Sequence, residues 1–172
     1  MALAACAGPS DEGVQARRLV EVPPSVSTPT PTPTTSTGQT ISGNSYSNTL
    51  YGTSGNDILN GNGDRDVLWG GSGSDTFVFD TAREAHGDTI RDFVDGADTI
   101  SLTGIDANTH AYGNQAFTFI GQQGFHKVAG ELKAYQSGGH THLAGDVNGD
   151  GAADFTIKAL GAHTFASTDF LL

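Results

Sequence analysis

The sequence predicts an all-β chain, a right-handed parallel β-roll of nine-residue units preceded by a disordered N-terminal tail. Three observations predict it. Large apolar residues recur every nine positions at Ile41, Leu50, Leu59, Leu68 and Phe77. Gly43, Gly52, Gly61 and Gly70 keep the same period, as do Asn48, Asp57, Asp66 and Asp75. Composition is also segregated: all 6 prolines precede residue 34, whereas 22 of the 24 glycines follow residue 37. A short fixed period of this kind belongs to a solenoid, in which each unit buries its apolar face only against its neighbours.

Residues 1–37 read as tail and linker. The run from Pro23 to Pro33 alternates proline with serine and threonine, has nothing to bury, and prefers extended polyproline geometry. A helix over Glu12–Leu19 would be marginal alone. Leu3-Ala4-Ala5-Cys6 matches a bacterial lipobox, in which the cysteine becomes lipidated. However, no basic residue and no apolar stretch of signal-peptide length precedes Cys6. An inert thiol is the alternative.

The units are GNSYSNTLY (43–51), GTSGNDILN (52–60), GNGDRDVLW (61–69) and GGSGSDTFV (70–78). Each divides into a six-residue loop and a three-residue strand. In Asp57-Ile58-Leu59, Asp66-Val67-Leu68 and Asp75-Thr76-Phe77 the last residue points inward and its neighbours outward. With two units per turn, alternate units stack. The loop 52–57 therefore lies over 70–75, and 43–48 over 61–66.

The last unit fits G-G-x-G-x-D-x-U-x, the calcium-binding repeat of RTX proteins. Stacked loops bring carboxylates and inward-turned carbonyls around a common point, and Ca2+ takes about 6–8 oxygens of these two kinds. Candidate metal-site residues are Gly52, Ser54, Asp57, Gly61, Gly63, Asp66, Gly70, Gly71, Ser72, Gly73 and Asp75. The first unit is degenerate, with Asn48 for aspartate, and Thr53, Asn62 and Asp64 replace usual glycines. Without the ion, facing aspartates repel and ordered glycines are entropically costly, so the cation-free chain is expected to be largely unfolded.

Charge sharpens this reading. The chain carries 19 acidic and 8 basic residues, a net charge of −11, and residues 52–106 alone hold −8 of it. That balance excludes a nucleic-acid backbone as partner. No apolar run is long enough for a transmembrane helix. One cysteine excludes an internal disulfide framework.

Beyond Val78 the period breaks, yet the Asp-x-apolar triplet returns in GDTIRDFVDGADTISLTGID (87–106). GDVNGDGAADFTIKALG (145–161) and a terminal Thr168-Asp169-Phe170-Leu171-Leu172 follow. From the repeats onward, residues 41–172 resemble the C-terminal domain of the serralysin family of secreted metalloproteases, a module also found behind alginate epimerases. The resemblance implies a β-roll (38–86) continuing into a β-sandwich domain (87–172). It implies further calcium ligands, for which Asp88 and Asp98 match best and Asp80 and Glu84 less well. Asp92 and Asp95 are expected to be turn-forming or solvated. It also implies a C-terminal signal, Asp169, Phe170, Leu171 and Leu172, read by a type I secretion apparatus, and hence a secreted, extracellular protein. An ordinary final strand is compatible with that signal.

Catalysis is not expected. The protease motif H-E-x-x-H is absent from the sequence, as is G-x-S-x-G. His140 and His142 share one strand face and are expected to be plain surface residues. Asp146-Val147-Asn148-Gly149-Asp150-Gly151 resembles the start of an EF-hand loop, but Ile157 stands where the bidentate Glu belongs, and a tight turn between strands is favoured. Trp69, outward in its unit, is expected to pack under the following strands. Two rivals remain open: a fragment of a protease or polysaccharide-modifying enzyme whose catalytic domain is encoded upstream, and a surface binding protein tethered through Cys6.

Overall fold

A computed structural model describes residues 37–172; the tail and Cys6 lie outside the described residues, apart from residue 37. Each repeat contributes one three-residue strand: β1 (Thr40–Ser42), β2 (Thr49–Tyr51), β3 (Ile58–Asn60), β4 (Val67–Trp69) and β5 (Thr76–Val78). A one-turn helix α1 (Ala82–Ala85) follows, then β6 (Thr89–Ile90) and β7 (Thr99–Ser101). After a long connection come β8 (Thr118–Phe119), β9 (Glu131–Ser137), β10 (His140–Asp146) and β11 (Phe155–Ala159). The chain closes with β12 (Phe170–Leu171).

The strands sort by alternate unit, as the period requires. The five-stranded sheet runs β1-β3-β5-β7-β12, parallel throughout. The seven-stranded sheet runs β2-β4-β6-β11-β10-β9-β8, and only β10 is antiparallel to its neighbours. Both sheets pass through residues 86–87 without a break, and β6 and β7 continue the roll.

Register keeps each apolar ladder in line. Leu59 pairs with Phe77, Phe77 with Ile100, and Ile100 with Phe170. On the other sheet Leu50 pairs with Leu68, Leu68 with Ile90, and Ile90 with Ala159. Apart from Leu50, which packs half-buried against them, these side chains form one buried cluster with Leu132, Leu143, Phe155 and Ile157, drawn from both sheets. Each large side chain so buried contributes about 1.5–3 kcal/mol, and thin three-residue strands have little else to hold them.

The break after Val78 is an insertion rather than an end. Asp88 follows Asp75 by 13 positions instead of nine, and the four residues of α1 occupy the surplus. The Thr81 hydroxyl caps α1 by accepting from the Glu84 N–H. Ala85 is driven fully into the core.

Candidate metal centre

The loops of the roll lie on two flanks, each bearing a ladder of aspartates. On one flank the N–H of Gln39 donates to Asp57 Oδ1 (2.6 Å), that of Asp57 to Asp75 Oδ1 (2.8 Å), and that of Asp75 to Asp98 Oδ1 (2.9 Å). On the other, the Asn48 N–H donates to Asp66 Oδ1 (2.6 Å) and the Asp66 N–H to Asp88 Oδ1 (2.8 Å). In every rung one carboxylate oxygen is held by the preceding turn's backbone, which leaves the second oxygen to the loop.

What that second oxygen meets differs along the ladders. Asp57 Oδ2 accepts from the Thr53 N–H and hydroxyl. Asp98 Oδ2 accepts from the Val94 N–H at 2.9 Å. Asp66 Oδ2 is buried without any hydrogen-bond donor, although the residue is only 1% exposed. Such an orphan is costly, and a cation would satisfy it. Glu84 Oε2, on α1, is buried and unpartnered in the same way.

Proton affinities reflect the crowding. Burial pushes Asp88 up to about 7, helped by the neighbouring charges of Asp66, Glu84 and Asp64. Burial also raises Asp66, with Asp64 adding to it, and raises Asp75, with Asp98, Asp57 and Asp92 adding to it. Asp98 is raised by burial and by Asp92.

Loop backbone completes the donor set. Gly71 and Gly73 hold φ of +95° and +128°, and a Cβ at either would run into the carbonyl oxygens of Thr53 and Gly55 in the stacked loop. Only glycine permits both the conformation and that approach. Asn62 takes the place of the corresponding glycine by adopting φ 59° itself, and its Nδ2 donates to the Gly43 carbonyl at 3.2 Å. Among the described residues no three His, Cys, Asp or Glu side chains converge on one point. Any ion here would therefore draw much of its shell from carbonyls. Oxygen-only donors of this kind suit a hard divalent cation such as Ca2+ rather than Zn2+.

The structure brings the sequence candidates together in two groups. Gly52, Ser54, Asp57, Gly70, Gly71, Ser72, Gly73, Asp75 and Asp98 share one flank. Gly61, Gly63, Asp66 and Asp88 share the other. Asp88 and Asp98, ten positions apart in one segment, are thus separated.

Asp92 departs from expectation. It is not left to solvent: its two oxygens accept from the N–H groups of Gly70 (2.8 Å) and Gly71 (2.9 Å), closing the last repeat loop. The spacing from Gly70 to Asp92 equals that from Asp66 to Asp88, a signal the sequence did contain. Asp95 is likewise engaged, accepting from His163 Nδ1 at 2.7 Å.

Trp69 is half-buried, with a residue of the following segment laid against it. It stands on the outer face of the seven-stranded sheet, stacked on Tyr51 at 6.2 Å, with the Arg91 guanidinium 5.0 Å from its ring. The EF-hand-like stretch is a turn joining β10 to β11. Asp146 accepts from the N–H groups of Asn148, Gly149 and Gly151, and Asp154 from that of Val147. His140 and His142 do not form a pair site: His140 Nδ1 accepts from the Gly161 N–H, and His142 stacks on Tyr135 at 5.2 Å.

A solenoid of nonapeptide turns with aspartate-tipped loops on both flanks defines an RTX-type β-roll module. The chain belongs to the peptidase M10 serralysin C-terminal family, whose model matches residues 39–172. That family is the domain that accompanies the protease, not the protease domain itself. No curated protein matches the chain. Among solved structures, the R2 subunit of the mannuronan C5-epimerase AlgE6 of Azotobacter vinelandii is 24% identical, over 77% of this chain and 86% of its own, with a TM-score of 0.53. The R3 subunit of the same enzyme is 22% identical, over 81% and 82%, with a TM-score of 0.48. No helix among the described residues is long and apolar enough to cross a membrane.

Proposed function

We propose that this chain is a calcium-binding RTX module of a secreted protein, one that folds on Ca2+ and carries its export signal in its last four residues. The observation that carries the reading is the double aspartate ladder, with one oxygen of each carboxylate held by backbone and Asp66 Oδ2 left buried without a donor. Asp57, Asp75 and Asp98 with the loops 52–57 and 70–75 would hold ions on one flank. Asp66 and Asp88 with the loop 61–66 would hold them on the other. Bound Ca2+ supplies positive charge that neutralises facing carboxylates, so binding energy becomes folding energy.

The terminal residues fit a signal that is read before folding. Once folded, Phe170 is buried between Phe165 (5.4 Å) and Phe119 (4.9 Å), and Asp169 Oδ2 accepts from the Ala166 N–H. An export machine would reach them only in the unfolded chain, which a calcium-poor cytosol maintains. Extracellular modules load at roughly 10⁻⁴–10⁻³ M. The module itself is read as non-catalytic. Family membership favours a catalytic domain as its partner, encoded upstream.

Far-UV circular dichroism under calcium titration tests the folding claim. Strand signal is expected to appear as calcium rises into the millimolar range and to vanish in EGTA. Identical spectra in both conditions would overturn it.

A further inference from the structure

The first stacked loops of the two flanks share a register but differ in what lies between them. On one flank 52–57 meets 70–75, and the Ser72 N–H donates to the Thr53 carbonyl at 3.0 Å. On the other 43–48 meets 61–66, and the Gly63 N–H donates to the Asn44 carbonyl at 3.2 Å, the same step along the chain. The backbones are thus tied alike, and the side chains are not.

Asn62 makes the difference. It stands where 70–75 has Gly71 and keeps a left-handed backbone, φ 59°, as that glycine does. What it adds is an amide. Its Nδ2 donates to the Gly43 carbonyl at 3.2 Å and lies 3.5 Å from the Asn60 carbonyl. Its own N–H donates to Asn60 Oδ1 at 2.9 Å, which steadies the turn. Carbonyls only accept, so the amide must present its N–H2 group to them. Partial positive charge therefore meets an inward carbonyl where a cation would otherwise meet it. Gly71 has no side chain to do the same for Gly52.

Charge points the same way. Loop 43–48 holds no carboxylate. Asn48 stands in the aspartate position, and its Oδ1 accepts from the Asn44 N–H at 2.7 Å, as Asp57 Oδ2 does from Thr53. Asp66 thus meets a neutral residue on this side, whereas Asp75 is crowded by Asp57. Calcium loops lose affinity as their charged ligands are removed. The cation that would satisfy the orphaned Asp66 Oδ2 belongs in the other direction. There Glu84 Oε2 is orphaned too, and the charges of both residues act on Asp88.

We propose that the Asn62 amide replaces a cation between the loops 43–48 and 61–66, so that this pair closes without calcium. The inference rests on the calcium reading above. It confines ions on this flank to the end where Asp66 meets Asp88, and leaves the sites of the other flank as described. The start of the roll is then clamped by the chain's own side chain while the rest waits for the ion.

Asn62→Gly gives the test its sign. Glycine adopts φ 59° more readily than asparagine, so a residue that only filled the turn could be replaced with no loss or with a gain in stability. Loss of the clamp has the opposite effect: in saturating calcium the melting temperature should fall by a few degrees. Anomalous diffraction from crystals of the calcium-loaded parent chain supplies a second measurement that does not depend on the variant's folding. Peaks are expected at 52–57 with 70–75 and near Asp66 and Asp88, with none at the ~2.6 Å from the Gly43 oxygen that ligation requires. An ion bound to that oxygen, or an Asn62→Gly chain that melts at or above the parent, would overturn the proposal. A parent chain that takes up no calcium anywhere overturns the calcium reading instead, and the Asn62→Gly melts then still decide whether the amide clamps the loops.

Discussion

The backbone N–H of Asp75 donates to Asp98 Oδ1 at 2.9 Å across 23 positions of sequence. The same bond joins Asp57 to Asp75 across 18. The ladder therefore outlasts the nine-residue period by absorbing surplus residues between rungs. Asp98 does for the last repeat loop what Asp75 does for the one before.

Asp75→Asn separates charge from hydrogen bonding. The amide oxygen can still accept from the Asp57 N–H, while repulsion from Asp98, Asp57 and Asp92 is relieved. In EGTA any residual structure should melt at higher temperature than in the parent chain. In millimolar calcium the melting temperature should fall, with affinity about tenfold weaker. Paired thermal melts check both signs.

The pH dependence follows from Asp88. Its carboxyl, ordinarily near 3.8, is raised to about 7 in the cation-free fold. A raised acid stabilises the folded state only while it can stay protonated. That contribution is complete below about pH 4 and lost as pH rises through about 7. The cation-free fold should thus weaken between these values. Calcium competes with the proton, so affinity should increase from pH 6 to pH 8 with proton release on binding. Calorimetry in two buffers of different ionisation enthalpy measures that release.

Gly71→Ala and Gly96→Ala isolate close approach from backbone strain. Both glycines have positive φ, +95° and +76°, but only Gly71 faces a neighbour, the Thr53 carbonyl oxygen, while nothing lies within 4 Å of Gly96. Gly96→Ala should cost about 1 kcal/mol. Gly71→Ala should cost at least ~3 kcal/mol, since the stacked loops must part. Denaturant melts in saturating calcium compare the two.

Removing residues 169–172 should abolish export through a type I channel. It also deletes β12 and uncovers Ile100, so a control is needed. Phe165→Ala loosens the same aromatic corner, where Phe165 touches Phe93 and Phe170, and leaves the terminal residues intact. Export of the Phe165→Ala chain should be undiminished even though its folded form is less stable. Quantifying secreted and retained protein distinguishes signal from stability.

Much of the fold was legible because a solenoid writes its contacts into spacing. Leu59 opposite Phe77 and Leu50 opposite Leu68 follow from a period of nine and two units per turn. Aspartates at each loop's end likewise announced oxygen donors. Asp92 was missed because a carboxylate after a broken period looks like any turn residue, and only the fold puts it over Gly70 and Gly71. The partners of Trp69, Tyr51 on β2 and Arg91 just past β6, come from either side of its own strand, which one strand's sequence does not name.

By itself, then, the sequence determined the roll, its two apolar ladders and the aspartate-tipped loops, since all three repeat locally and any register slip would misplace every unit. Tertiary structure decided the rest. It carried both ladders past the α1 insertion, so that Asp88 meets Asp66 and Asp98 meets Asp75 across spacings of 22 and 23 that no nine-residue period predicts. It buried Phe170 beside Ile100, 70 positions away. It also laid β11 beside β6, because long-range pairing obeys no period.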